Sequence, residues 1–196
     1  MYKKILLAIF MIVASCTPTK QNSVSSICEA GYSPVKYQNL IICASNDYYM
    51  VNGIRTPVDL PTAYNIARAN DAVLPNKSMV DAIYAQADIR LAPITMPPTA
   101  AMTSRNYYVR HNGMIEEQLS GVNTINKLIA GHKKDIVSIA ENSSRVAIYG
   151  WHRSVGNPIQ PYSTVHGRNY YDYSHGLRLI KKTAYDLNGN RVILGE

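Results

Sequence analysis

The spacing of apolar residues changes character once along this chain, and that change limits the fold more than any other feature. Up to about residue 120 apolar positions recur at helical intervals. Ala63, Ile66 and Ala67 follow Asp59-Leu60-Pro61, and Met79, Val80, Ile83, Tyr84 and Ala87 follow Leu74-Pro75. Spacing of i, i+3 and i+4 puts such residues on one face of a helix. Asp59 can cap the first helix, and proline is tolerated in its first turn. Residues 104–119 read as a third helix in spite of Gly113, and residues 92–101, holding Pro93, Pro97 and Pro98, read as an extended connector. From Gly131 onward strand-like runs take over at 135–140, 145–151, 176–183 and 191–194, with Asn188-Gly189 as a hairpin turn signal. Two more strands are expected at 36–43 and 48–54. The pattern predicts an α+β fold, with helices mainly in the first half and a mainly antiparallel sheet in the second. Residues 27–196 are expected to form a single domain, and 46% hydrophobic against 17% charged residues rules out a disordered chain.

The first sixteen residues are read separately. Lys3 and Lys4 precede an apolar run over 5–13 that is too short to span a bilayer, followed by the small residues Ala14 and Ser15 and then Cys16. Val13-Ala14-Ser15-Cys16 resembles the lipobox of bacterial lipoproteins. That resemblance implies a signal peptide over 1–15, lipidation of Cys16, and a membrane partner reached through the lipid anchor. Thr17 stands where an inner-membrane retention signal would place Asp. The expected address is therefore the cell envelope, on the periplasmic face of the outer membrane if the cell is Gram-negative. Residues 16–26, rich in Ser, Thr, Asn and Gln, read as a tether.

Removing residues 1–15 takes away Lys3 and Lys4 and leaves 18 basic against 13 acidic residues, a net charge of +5. A modest positive balance fits anionic lipid or peptidoglycan as neighbours. No basic run exceeds two residues and no nucleic-acid motif appears, so nucleic acid is not an expected partner. With Cys16 lipidated, Cys28 and Cys43 remain in an oxidising compartment, where such a pair becomes a disulfide. A catalytic role for either is the alternative, but both lie far in sequence from every histidine.

All five histidines, His111, His132, His152, His166 and His175, fall between residues 111 and 175. Three dense blocks hold most of them: Gly131-His132-Lys133-Lys134-Asp135, Tyr149-Gly150-Trp151-His152-Arg153, and His166-Gly167 followed by Tyr171-Asp172-Tyr173-Ser174-His175-Gly176-Leu177-Arg178. Histidine is the side chain best suited to proton transfer near neutral pH, and a nearby aspartate can orient the ring or share a metal. Taken singly, each histidine could equally be a hydrogen-bonded structural residue.

These blocks, with Leu74-Pro75, Met79 to Tyr84 and Leu91-Ala92-Pro93, resemble an uncharacterised family of bacterial secreted proteins. The resemblance runs over roughly residues 40–182 and implies a shared fold and site without supplying a reaction. A partial resemblance to the L,D-transpeptidases rests on His166-Gly167, then Ser174-His175-Gly176 with Arg178 after it. Their nucleophilic cysteine is absent, because Leu177 stands in its place, so an acyl-enzyme by that route is closed.

An acid–base or metal-assisted hydrolase is the remaining enzymatic reading. The expected catalytic set is His175, Asp172, Ser174 and His166. Arg178, Trp151, Tyr173 and His152 are expected to bind substrate, with Arg178 holding a carboxylate and the aromatics stacking on sugar rings. Two or three histidines and an aspartate can hold a catalytic zinc with one position open for water, and His132, Asp135, His166 and His175 are the candidates. Glu116 and Glu117 read as solvent-facing. The expectation is a cell-wall hydrolase acting on a peptide or amide bond. The alternative is a non-catalytic lipoprotein that binds peptidoglycan or an envelope partner through the same cleft.

Overall fold

A computed structural model describes residues 27–195 of the chain. The signal peptide, Cys16 and the tether expected over 16–26 lie outside the described residues. In chain order the elements are β1 (Tyr32–Tyr37), β2 (Leu40–Ser45), β3 (Met50–Val51), β4 (Ile54–Arg55), α1 (Leu60–Ala69), β5 (Ala72–Val73), α2 (Lys77–Gln86) and β6 (Ile89–Arg90). There follow α3 (Arg105–Leu119), β7 (Ile129–Ala130), β8 (Lys134–Val137), β9 (Ala147–Ser154) and β10 (Asn157–Ser163). The chain ends through β11 (His175–Gly176), β12 (Ile180–Lys181), β13 (Thr183–Asp186) and β14 (Arg191–Ile193). This is an α+β arrangement with mostly antiparallel pairing.

Each helix starts on a side-chain cap. Asp59 accepts from the Thr62 N–H at 2.9 Å, Asn76 from Met79 at 2.9 Å, and Ser104 from Tyr107 at 3.4 Å. Such caps satisfy backbone donors that the first turn leaves without partners. α1 buries Leu60, Ala63 and Ala67, and α2 buries Met79, Val80, Ile83 and Tyr84. Gly113 lies on the exposed face of α3, where its cost is only that of a weak helix former, and the helix runs through it.

A six-stranded sheet has the order β14-β13-β2-β12-β5, with β1 added on β2, and a four-stranded sheet has the order β10-β9-β8-β11. α2 is seated between them. Met79 and Ile83 pack with Val35, Ile42 and Ile180 of the first sheet, while Val80 packs with Val137, Ala147 and Tyr149 of the second. α1 closes a second core with Ile136, Val146, Ile148, Leu177 and Leu179.

Three expected strands are divided by turns. Gln38, with φ 54°, folds 36–43 into the β1–β2 hairpin, and Asn52-Gly53, with φ 50° and 74°, folds 48–54 into the β3–β4 hairpin. Asparagine and glycine tolerate this left-handed backbone best. The third, 176–183, changes sheet midway: β11 pairs with β8, and β12 pairs with β2 and β5. The Asn188-Gly189 turn does connect β13 to β14 as expected. Cys28 and Cys43 form the expected disulfide, with Cα atoms 5.6 Å apart, and it ties the segment before β1 to β2. Closing a loop of this length stabilises a chain by about 3 kcal/mol.

Candidate functional site

The histidine blocks converge on β8 and its two neighbours. β9 runs antiparallel to it, with Lys134 opposite Gly150, and β11 runs parallel, with His175 beside Lys134 and Gly176 beside Asp135. The glycines next to histidine serve chain packing. A Cβ on Gly176 would stand 2.6 Å from the Tyr48 ring, and one on Gly131 would stand 2.5 Å from the Leu91 carbonyl.

Alternate residues of the first block part company. His132 is fully buried, and its Nε2 lies 3.1 Å from Asp47 Oδ1. Asp47 also accepts from Arg55 Nη2 at 2.6 Å, and Arg55 Nη1 donates to Glu116 at 2.6 Å and Asn112 at 3.1 Å. Burial opposes ionisation of Asp47, but His132 and Arg55 outweigh it and hold the carboxyl well below its usual range. Lys133 is fully buried and donates to the Tyr173 carbonyl at 2.5 Å; burial pulls its pKa down to about 7. Asp135 accepts from the Tyr48 hydroxyl at 2.9 Å, and its other oxygen faces Arg178 Nε at 3.6 Å.

Arg178, expected to hold a substrate carboxylate, is instead a clamp inside the fold. It is fully buried, donates to the carbonyls of Ser45 at 2.6 Å and Ile129 at 2.7 Å, and lies 4.2 Å over the Tyr48 ring. His152 is likewise engaged within the fold. It stacks on Tyr84 at 4.6 Å, and its Nε2 shares Asp81 of α2 with the Tyr149 hydroxyl, at 3.0 and 2.7 Å. The Tyr173 hydroxyl both donates to and accepts from the Met96 backbone, and its ring packs between Trp151, Tyr107 and His111. Of the four residues expected to bind substrate, Trp151 and Arg178 each keep a buried polar atom without a hydrogen-bond partner among the described residues: the indole N–H and the guanidinium Nε.

The expected metal set is not assembled. His132 is committed to Asp47, Asp135 to Tyr48 and Arg178, and among the described residues no three His, Cys, Asp or Glu side chains are grouped so as to hold a metal ion.

The expected catalytic set does come together. Residues 172–174 form a tight turn rather than a strand. Asp172 Oδ1 accepts from the Ser174 N–H at 2.8 Å and its hydroxyl at 2.5 Å, Oδ2 accepts from the Tyr170 hydroxyl at 3.1 Å, and the His175 N–H donates to the Asp172 carbonyl at 3.0 Å. The turn delivers the His175 ring toward His166 and Tyr170, whose rings stack at 4.0 Å and lie 6.5 and 5.8 Å from it. His166 and Tyr170 are half-buried, whereas His175 is 1% exposed and neither of its ring nitrogens has a hydrogen-bond partner among the described residues. Burial, only partly offset by Asp172, keeps His175 below the ordinary histidine pKa. Burial opposes ionisation of Asp172, but His175 and the Ser174 hydrogen bonds keep it ionised. A neutral imidazole beside a fixed carboxylate is a base ready to accept a proton and stabilised once it has done so. A groove of about 470 Å³ lined by Tyr64, Arg68, Leu74, Met79, Ile139 and Leu194 touches none of these residues.

Buried neutral histidines also set the acid response of the fold. Burial first, with nearby Lys133, lowers His111 to about 3; burial, partly offset by Asp47, lowers His132 to about 4; His175 is lowered in the same direction. In the unfolded chain each takes up a proton near pH 6.5. Between about 6.5 and 4 the unfolded state therefore binds more protons, and stability falls as pH falls. Asp135, raised by burial from 3.8 to about 6, acts oppositely between those values, because there the native state holds the extra proton. Three groups outweigh one, so the urea midpoint should drop from pH 7 to pH 4. A flat or rising midpoint would mean that these rings are charged in the native protein.

Asp47, Tyr48, Arg55 and Asp81 escaped the sequence reading. Asp47, Tyr48 and Asp81 each lie more than 70 residues from the histidine or aspartate they serve, and Arg55 lies 61 from Glu116, so no local pattern marks these pairings. No family model, no curated protein and no solved structure matches the chain.

Proposed function

We propose that the mature chain is a lipid-anchored envelope protein that hydrolyses a peptide or amide bond of the cell wall, with His175 as general base. The observation that carries this reading is the His175 ring itself: buried, neutral, without a hydrogen-bond partner at either nitrogen among the described residues, and set beside the His166–Tyr170 stack by the turn that Asp172 and Ser174 close. Unsatisfied buried polar atoms are rare in folded proteins, and a catalytic role is one of the explanations they call for. His175 takes a proton from the attacking water as oxygen bonds to the carbonyl carbon, and returns it to the departing nitrogen, so that water and amide become acid and amine. Asp172 stabilises the imidazolium in between. Ser174 holds Asp172 in place, and the His166–Tyr170 stack offers a flat face to a sugar or peptide plane. Purified mature protein incubated with sacculi should release new amino groups, and should do so in the presence of a chelator. Release that a chelator abolishes would return the reaction to a metal.

The near-complete enclosure of His175, with the 470 Å³ groove elsewhere, favours the second reading, a binder without chemistry. It predicts co-sedimentation with sacculi and no released amine. The address is tested apart from the chemistry. Cys16→Ser should move the protein from the membrane fraction to the soluble envelope fraction, and unchanged fractionation would remove the lipid anchor from the proposal.

A further inference from the structure

With Arg178 consumed inside the fold, the neighbourhood of His175 has another cation, Lys134. Lys134 and His175 are register partners on adjacent parallel strands, so their side chains leave the sheet on the same face. Left-handed backbone at Gly150 and Trp151, with φ 107° and 57°, turns the indole to meet Lys134, whose Nζ stands 5.0 Å from the ring centroid. Lys134 is half-buried, and among the described residues its ammonium makes no hydrogen bond or ion pair. The nearest carboxylate, Asp172, is already occupied by Ser174 and Tyr170. The indole N–H and both His175 nitrogens are buried without partners as well. The Lys134 ammonium and the Trp151 indole N–H are thus two donors without a protein acceptor, beside a neutral His175 ring that offers one donor and one acceptor. That is the complement of an anion with two oxygens.

We infer that the Lys134 ammonium and the Trp151 indole N–H together hold the free carboxylate at the end of a peptide, with the bond to be cleaved lying next to His175. The inference rests on the hydrolase reading and gives it a substrate class. Lys134 and His175 are register partners on neighbouring strands, so in this proposal the bond cleaved is the one next to the terminal residue. The enzyme then removes a carboxy-terminal residue and does not cut within a chain.

Trp151 is the only tryptophan in the sequence and reports on its own site. Mature protein is titrated with N-acetyl-D-alanyl-D-alanine and with the same dipeptide as its carboxy-terminal amide, following indole fluorescence. The acid should change the emission saturably, and the amide should bind at least about tenfold more weakly, as one lost charged contact implies. Lys134→Met should lose the preference for acid over amide and Lys134→Arg should keep it, with circular dichroism confirming that both variants are folded. Equal binding of acid and amide, or a Lys134→Met protein that binds the acid like wild type, overturns the inference. The two readings fail separately. Hydrolysis of sacculi with an unchanged KM in Lys134→Met removes the carboxylate site and leaves the base. Lys134-dependent binding of the acid without any hydrolysis removes the base and leaves the carboxylate site.

Discussion

His175→Ala should lower the rate of amine release from sacculi by about 10²–10⁴-fold, the usual contribution of a general base, while moving the thermal midpoint by only a few degrees. The small stability effect follows from the ring's lack of hydrogen bonds: no partner is stranded when it is removed. What is lost is packing against Tyr170 and His166, within the range of about 0.5–3 kcal/mol common to single substitutions. A structural histidine behaves the other way, because leaving a buried partner unsatisfied costs about 1–3 kcal/mol. A steep fall in the midpoint with activity retained would end the assignment of His175 as base.

Arg178→Ala should do the reverse and cause the largest stability loss among the substitutions considered. Its removal strands Asp135, left with Tyr48 alone, and frees the buried carbonyl of Ile129 and the part-buried one of Ser45. Removing one partner of a buried charge pair costs about 3–5 kcal/mol. At about 2–4 °C per kcal/mol for a chain of this size, the midpoint should fall by roughly 6–20 °C. Lysine cannot replace the planar fork that reaches both carbonyls, so Arg178→Lys should recover only part of the loss. A raised KM with an unchanged melting curve would instead return Arg178 to the substrate.

The contrast between these residues shows what could be read from the amino-acid order. The cluster of His166, Asp172, Ser174 and His175 was legible because its members are near neighbours in sequence and a single turn gathers them. The helices were legible because Asp59 and the spacing of Met79, Val80, Ile83 and Tyr84 act within a turn or two. His132, Asp135, His152 and Arg178 carry the same chemistry but answer to Asp47, Tyr48, Asp81 and the Ser45 carbonyl. Those partners are brought near only by the completed sheets. A charged residue destined for burial looks the same in sequence as one destined for a ligand. The division of 176–183 between two sheets was hidden for a related reason: Leu177 and Leu179 satisfy a strand pattern whether or not the hydrogen-bond partners change between them.

That change of sheet dictates the order in which the molecule can be assembled. β11 completes one sheet and β12 fills the middle of the other, and both come from the last tenth or so of the chain. Before this segment arrives, β2 and β5 have a gap between them, and Asp135 has no cation against it. Contacts spanning 45 to 178 and 129 to 178 form at the end, after the long loops they close have been paid for in entropy. Such a chain emerging from a ribosome lacks the strand that joins β2 to β5 until its final residues are free. A truncation near residue 174 therefore takes strands from both sheets at once, although the two sheets share no hydrogen-bonded edge.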